Sequence, residues 1–263
     1  MEIVQRIYVC HDHITGLYSA IYDAWKERRA TGDAGIAFIG SVEKKFFCEY
    51  VECEEKEEKA IAVEKLIKTH LGMDAYWKLY HAALSGDPAK GDAILGTMFV
   101  ARTLTDSTKI MEHITNPSVE KVFSLSRKVA NEAHYFKEFL RFRELEGGIL
   151  YAKIEPKSQI LTCIAPHFAD RLPLENWMIY DAIHEMFVVH EARKNWILVS
   201  GESADMEQLD RLSEEEKRIQ ELWKGFFESI SIKERKSYER QRGHLPIWYR
   251  KNMVEFQKPS ASK

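Results

Sequence analysis

Apolar residues recur at two periods along the chain. Leu17, Ile21, Ala24 and Trp25 return at helical spacing, so Ile14 to Arg28 reads as an amphipathic helix. Ile3 to Val9 alternates loosely and reads as a strand; Ile36 to Ile39 and Phe46 to Val51 read as two more, after a break at Gly32 to Gly35. The chain therefore opens with a small β-α-β-β unit. Helices dominate from Glu55 to about His113: Lys59 to Leu71, Asp74 to Leu84 and Ala89 to Leu104, separated by Gly72 and by Ser85-Gly86-Asp87-Pro88.

Asn116-Pro117 marks the next break and divides the chain into regions 1–115 and 116–263. A long helix follows from Ser118 to about Phe142, burying Val122, Phe123, Val129, Ala130, Ala133, Phe136 and Leu140. After Gly147-Gly148 come five candidate strands with short connections: Ile149 to Glu155, Gln159 to Ala165, Trp177 to Asp181, Met186 to His190, and Trp196 to Val199. Short links favour antiparallel neighbours, hence a β-meander. The last helix starts near Ser213, which forms a capping box with Glu216. Ile219, Leu222, Trp223, Phe226, Phe227 and Ile230 form a stripe expected to be buried, and the tail from Ser231 is basic and aromatic. The fold class is α+β: a mixed α/β and helical N-terminal part, then a long helix packed on an antiparallel β-meander, then a C-terminal helix and basic tail.

Composition narrows the function classes. The 263 residues are 45% hydrophobic and 30% charged, ordinary for a soluble protein. No apolar run approaches the roughly 18 residues that span a bilayer, and the first residues lack a signal-peptide core. No membrane association and a cytoplasmic location are expected. Net charge is −3, so nucleic acid must be held by a local patch rather than a global field. Cys10, Cys48, Cys53 and Cys163 form no C-x-x-C pair and read as reduced thiols.

Three stretches carry candidate chemistry. On the long helix, Arg127, Asn131, His134, Glu138 and Arg141 advance by four, three, four and three residues and share one face. Guanidinium groups there suit phosphate, because their paired donors match its oxygens; a solvated face with internal ion pairs is the plainer alternative. Arg143 follows closely. The second stretch, Ala165-Pro166-His167-Phe168-Ala169-Asp170-Arg171-Leu172-Pro173, reads as a proline-bracketed loop holding His167 and Arg171, with Asp170 or Glu175 orienting the imidazole. The third is the tail, with Lys233, Arg235, Lys236, Arg240 and Arg242 among Tyr238, Trp248 and Tyr249. Cations track a nucleic-acid backbone and rings stack on bases, although Trp248 and Tyr249 equally suit docking of the tail on the core. Cys10-His11-Asp12-His13 has adjacent ligands and no second cluster at zinc spacing, so no metal is expected. Phosphate-binding P-loop, dinucleotide, nucleophile-elbow and zinc-deaminase motifs are missing from the sequence, and no cofactor is implied.

The ordered set Asn131-Glu132-Ala133-His134, Phe139-Leu140-Arg141-Phe142, Tyr151-Ala152-Lys153-Ile154-Glu155-Pro156 and Ala165 to Arg171 resembles a bacterial family of uncharacterised DNA-metabolism proteins assigned to DNA repair. Its members are encoded beside a helix-hairpin-helix radical SAM protein. Glu175 to Asp181, Ile232 to Lys236 and the tail around Pro246 to Tyr249 extend the likeness, and Tyr8 to Trp25 resembles clostridial-type members. Lys137-Glu138 and Thr162-Cys163 depart from the family pattern, where an apolar pair and proline-leucine are expected.

The resemblance implies DNA metabolism with a radical SAM partner and transfers no catalytic residues. The leading expectation is a nucleic-acid- or nucleotide-binding accessory, with DNA contacted by the cations above. One alternative is a DNA-processing enzyme using His134 or His167 as acid or base; another is a protein-binding adaptor of the radical SAM partner.

Overall fold

The computed structural model describes residues 5–31, 34–42, 46–200, 209, 211–229 and 237–256. It is α+β, with two sheets among the described residues. The chain forms two compact units, Met1–Ala130 and Asn131–Lys263. No helix among the described residues is long and apolar enough to cross a membrane.

The first unit follows the sequence pattern closely. Strands β1 (Gln5–Cys10), β2 (Ala34–Phe38) and β3 (Cys48–Glu52) form a parallel sheet in the order β2-β1-β3. Helix α1 (Ile14–Thr31) links the first two, burying Leu17, Ile21 and Ala24. Helix α2 (Glu57–His70) carries acids in its first turn and bases in its last, complementing its dipole. It buries Ala60, Val63 and Ile67 and packs against α1. Gly72, at φ +82, turns the chain directly into α3 (Gly72–Leu84), a conformation costly for any side chain. Helix α4 (Lys90–Thr103) is buried over most of its circumference. A Cβ at its Gly96 would stand 2.3 Å from Ser118 Oγ, so the glycine admits α5 (Pro117–Phe139) at close range. Helix α5 buries Val122, Val129, Ala133 and Phe136, but Phe123 and Ala130, expected on the same side, are exposed, and the helix ends at Phe139 rather than Phe142 because the chain turns into strand pairing at Arg143.

The second unit departs from the meander. Its mixed sheet has the order β4-β5-β6-β7-β8: β4 (Arg143–Glu144), β5 (Leu150–Ile154), β6 (Trp177–Asp181), β7 (Met186–His190) and β8 (Ile197–Ser200). Strands β5 and β6 are parallel, whereas β6, β7 and β8 run antiparallel in turn. The connection between β5 and β6 is α6 (Leu161–Arg171), in place of the strand expected over Gln159 to Ala165 and the loop expected over Ala165 to Pro173. A continuous apolar run does not distinguish strand from helix. Burial of Ile160, Leu161, Ile164, Ala165 and Phe168 shows helical spacing and outweighs the cost of Pro166 inside the helix.

Helix α6 packs on β7, and its Phe168 meets Phe142 and Trp177 edge-on. The other sheet face buries Tyr151, Tyr180 and Phe187 with Leu145 and Leu209. Helix α7 (Glu214–Ser229) starts as expected, with Ser213 Oγ accepting the Glu216 N–H at 3.1 Å. Its apolar stripe is not buried as expected: Ile219, Leu222, Trp223 and Phe226 are exposed, since periodicity marks an apolar face without fixing what covers it. A short helix, α8 (Tyr238–His244), precedes two 3₁₀ turns.

Candidate anion-binding pocket

Where α5 ends, the chain enters the two-residue strand β4, whose Arg143 stands opposite Tyr151 of β5. This register places the Arg143 guanidinium 4.9 Å from the centre of the Tyr151 ring, within cation–π range. The same guanidinium donates to the Leu209 carbonyl at 3.0 Å. Two residues along β5, Lys153 lies on the Tyr151 side of the pleat. Arg141, in the link ahead of β4, donates to the carbonyls of Glu138 and Leu140, each at 3.3 Å.

These cations line one cavity of about 310 Å³. Its remaining walls are Phe142, Tyr151, Leu212, Glu216, Gln220, Asn252 and Val254. The start of α7 is fixed there because the Ser213 N–H donates to the Glu144 carbonyl at 3.1 Å. Gln220 donates its amide to Glu216 Oε1 at 2.7 Å. The C-terminal wall is pinned by Asn252, which donates to the Lys153 carbonyl at 2.9 Å. Two arginines and a lysine face one carboxylate, so the cavity carries a net positive lining suited to an anion. Arg143 and Lys153 are half-buried, which strengthens charge-assisted bonds over those at an open surface.

The other candidates from the sequence do not line this cavity. Arg127 is exposed on α5 in the first unit. His134 is exposed, and its Nε2 pairs with Glu138 Oε1 at 3.0 Å, the internal ion pair of the plainer reading. Arg171 is exposed at the last position of α6. His167, also on α6, has a buried Nε2 without a hydrogen-bond partner, so neither Asp170 nor Glu175 orients it through that atom. Burial lowers its pKa, helped by Lys137 and Arg171 and opposed by Asp170. Arg240 and Arg242 are exposed on α8. Lys233, Arg235 and Lys236 lie outside the described residues.

The tail aromatics have a structural role. Tyr249 packs on Phe136 at 4.9 Å and Tyr135 at 5.1 Å, and Trp248 Nε1 donates to the Glu155 carbonyl at 2.8 Å. All four cysteines are free. Burial pushes the Cys10 and Cys53 thiols up to about 12 and Cys163 to about 11, far from a reactive thiolate at neutral pH.

A family profile described as a domain of unknown function, DUF4130, matches residues 88–255. The chain belongs to the DUF4130 family. No curated protein matches it. The DUF4130 segment contains all ten residues that line the cavity.

Sequence reasoning singled out Arg141 and Arg143 but missed Lys153, Gln220 and Asn252. For Lys153 a signal existed: it shares its strand face with Tyr151. The two amides come from elements far apart in sequence and left no local signature.

Proposed function

We propose that this DUF4130 protein is a nucleic-acid- or nucleotide-binding accessory of a cytoplasmic DNA modification or repair system that includes a radical SAM protein. The observation that carries the reading is the meeting of Arg141, Arg143 and Lys153 at one cavity of about 310 Å³. Guanidinium forks and an ammonium match the oxygens of a phosphate. A cavity of this size is at the lower end of the range for small-ligand sites. Gln220 and Asn252 add amide groups able to pair with the polar edge of a base. The DNA-repair context and the radical SAM partner rest on the sequence resemblance alone.

The test is fluorescence anisotropy of labelled single- and double-stranded oligonucleotides across a salt series. Binding is expected to weaken steeply with salt. Arg141→Ala and Lys153→Ala are each expected to weaken it several-fold, because each removes a phosphate contact. Binding that ignores both salt and these substitutions removes the reading.

A second reading has its own support. Ile219, Leu222, Trp223 and Phe226 of α7 and Ile197, Leu198 and Val199 of the edge strand β8 are all exposed. Such apolar surface suits a protein partner. Co-purification of the radical SAM protein, with no oligonucleotide binding at any salt concentration, would favour this adaptor role.

A further inference from the structure

A second cluster of functional side chains lies in the first unit, before the family-matched segment. Strands β1 and β3 are parallel neighbours, so the residues that follow them emerge at the same, carboxyl end of the sheet. Ligands of open parallel sheets bind outside the carboxyl ends of the strands. Here β1 is central, and its exit carries His11, Asp12 and His13; the exit of β3 carries Glu55.

Three potential ligand atoms converge. His11 Nδ1 lies 3.1 Å from Glu55 Oε1, and His13 Nε2 lies 3.2 Å from Glu55 Oε2. One donor atom from each residue falls within 4.8 Å of the others. The two imidazole rings are parallel, 6.0 Å apart with 5° between their planes. The loop is held from behind: Asp12 pairs with Lys90, a lysine only 1% exposed, whose ammonium also donates to the Ser85 carbonyl. Gly16 makes room for the carboxylate, since a Cβ there would stand 2.9 Å from Glu55 Oε1 and 2.6 Å from the His11 carbonyl oxygen.

Part of this arrangement is explained by helix capping. His13 Nδ1 accepts the Gly16 N–H at 3.0 Å and so caps α1, which leaves the proton of a neutral ring on Nε2, facing Glu55. Glu55 Oε1 accepts the His11 N–H at 2.7 Å. Capping leaves the His11 ring unexplained. Its backbone amide already satisfies that oxygen, yet its mostly exposed imidazole is aimed at the same atom.

We propose that His11, His13 and Glu55 bind a transition-metal dication of the zinc type. Zinc bonds to imidazole nitrogen and carboxylate oxygen are about 2.0–2.2 Å long, which puts tetrahedral ligand atoms about 3.3 Å apart. Each ring nitrogen stands at about this spacing from its own carboxylate oxygen, and one donor atom from each residue already lies within 4.8 Å of the other two, so a small rotation of the carboxylate completes the set. The metal takes the place of the ring protons now facing Glu55, which move to the far nitrogens. On His13 this shift gives up the Gly16 capping bond, so affinity falls below that of a fully preformed site. Two imidazoles and one carboxylate leave the fourth position to water, as in an open zinc site rather than a closed structural one. The four-residue run Cys10 to His13 shows no zinc spacing because its third ligand arrives from the next strand. Cys10 is no ligand: its thiol is buried and directed at the Ala37 carbonyl.

Calorimetric titration of the full chain with zinc chloride tests the proposal. One zinc per chain is expected in the wild type. Glu55→Gln and His11→Ala are each expected to weaken binding on the order of tenfold or more. His11→Ala is the decisive variant, because its exposed ring carries no cap and the circular dichroism of the variant should be unchanged. Loading with Co²⁺ should give visible absorption of a four- or five-coordinate nitrogen–oxygen site, absent from His11→Ala. Failure of the wild type to bind zinc, or equal binding by wild type and His11→Ala, overturns the proposal.

Discussion

Lys153 is where local pattern and the assembled cavity part company. In sequence it is one polar position in a strand, and a solvated lysine on a strand is the ordinary expectation. Its place in the cavity lining appears only once β4 pairs beside Tyr151 and brings Arg143 to the same face. Arg141 and Arg143 were legible because cationic side chains crowd the end of a long helix; His134 looked equivalent but is matched by Glu138 one turn away. His167 shows a different limit. Its neighbours in sequence suggested an oriented acid–base group, whereas its Nε2 is buried without a partner. The depressed pKa has a consequence for stability. The unfolded chain takes up a proton near the ordinary value, about 6.5, before the folded ring does. The neutral ring's stabilising contribution is therefore complete above that value and is lost as pH falls through the lower, folded one. Thermal melts at about pH 7.5 and about pH 5 should show a smaller loss of midpoint for His167→Gln than for the wild type. Equal losses would show that the ring is not held neutral by the fold.

At the scale of elements, long amphipathic helices were readable from their periodicity, and so were strands bounded by turns. Helix α6 was not. Ile160 to Ala165 contains too few polar residues to reveal a period, and Pro166 argued for a loop. Packing decided the matter, through a stripe that ends in Phe168 against Trp177. With α6 as the crossover, parallel pairing of β5 and β6 becomes possible, which a short turn would forbid. Strand β4 was invisible for another reason: at two residues it has no period at all. The helical setting of Pro166 yields a prediction. Pro166→Ala restores an N–H to the helix and relieves the ring's clash with the preceding turn, offset in part by a more flexible unfolded chain. Urea denaturation should show a gain of about 1–2 kcal/mol. A loss would mean that the proline is held in a turn rather than in a helix.

Across the whole molecule the charge balance sets how strongly nucleic acid can be held. A net charge of −3 supplies no general attraction. If Arg141, Arg143 and Lys153 are the phosphate contacts, the logarithm of the duplex binding constant should fall with the logarithm of salt concentration at a slope of about −3, and about −2 for a single strand. A much steeper slope would place the interface on the exposed basic residues of the tail. The extent of the family match has a practical consequence. Residue 88 lies just ahead of α4, whose Ile94, Leu95 and Met98 belong to a core shared with α1, α2 and α3. A recombinant fragment trimmed to the matched segment would bare that greasy helix and strand the Lys90 ammonium without its aspartate. Biochemists who excise the conserved-looking portion for convenience should anticipate inclusion bodies; the intact polypeptide is the reagent to prepare.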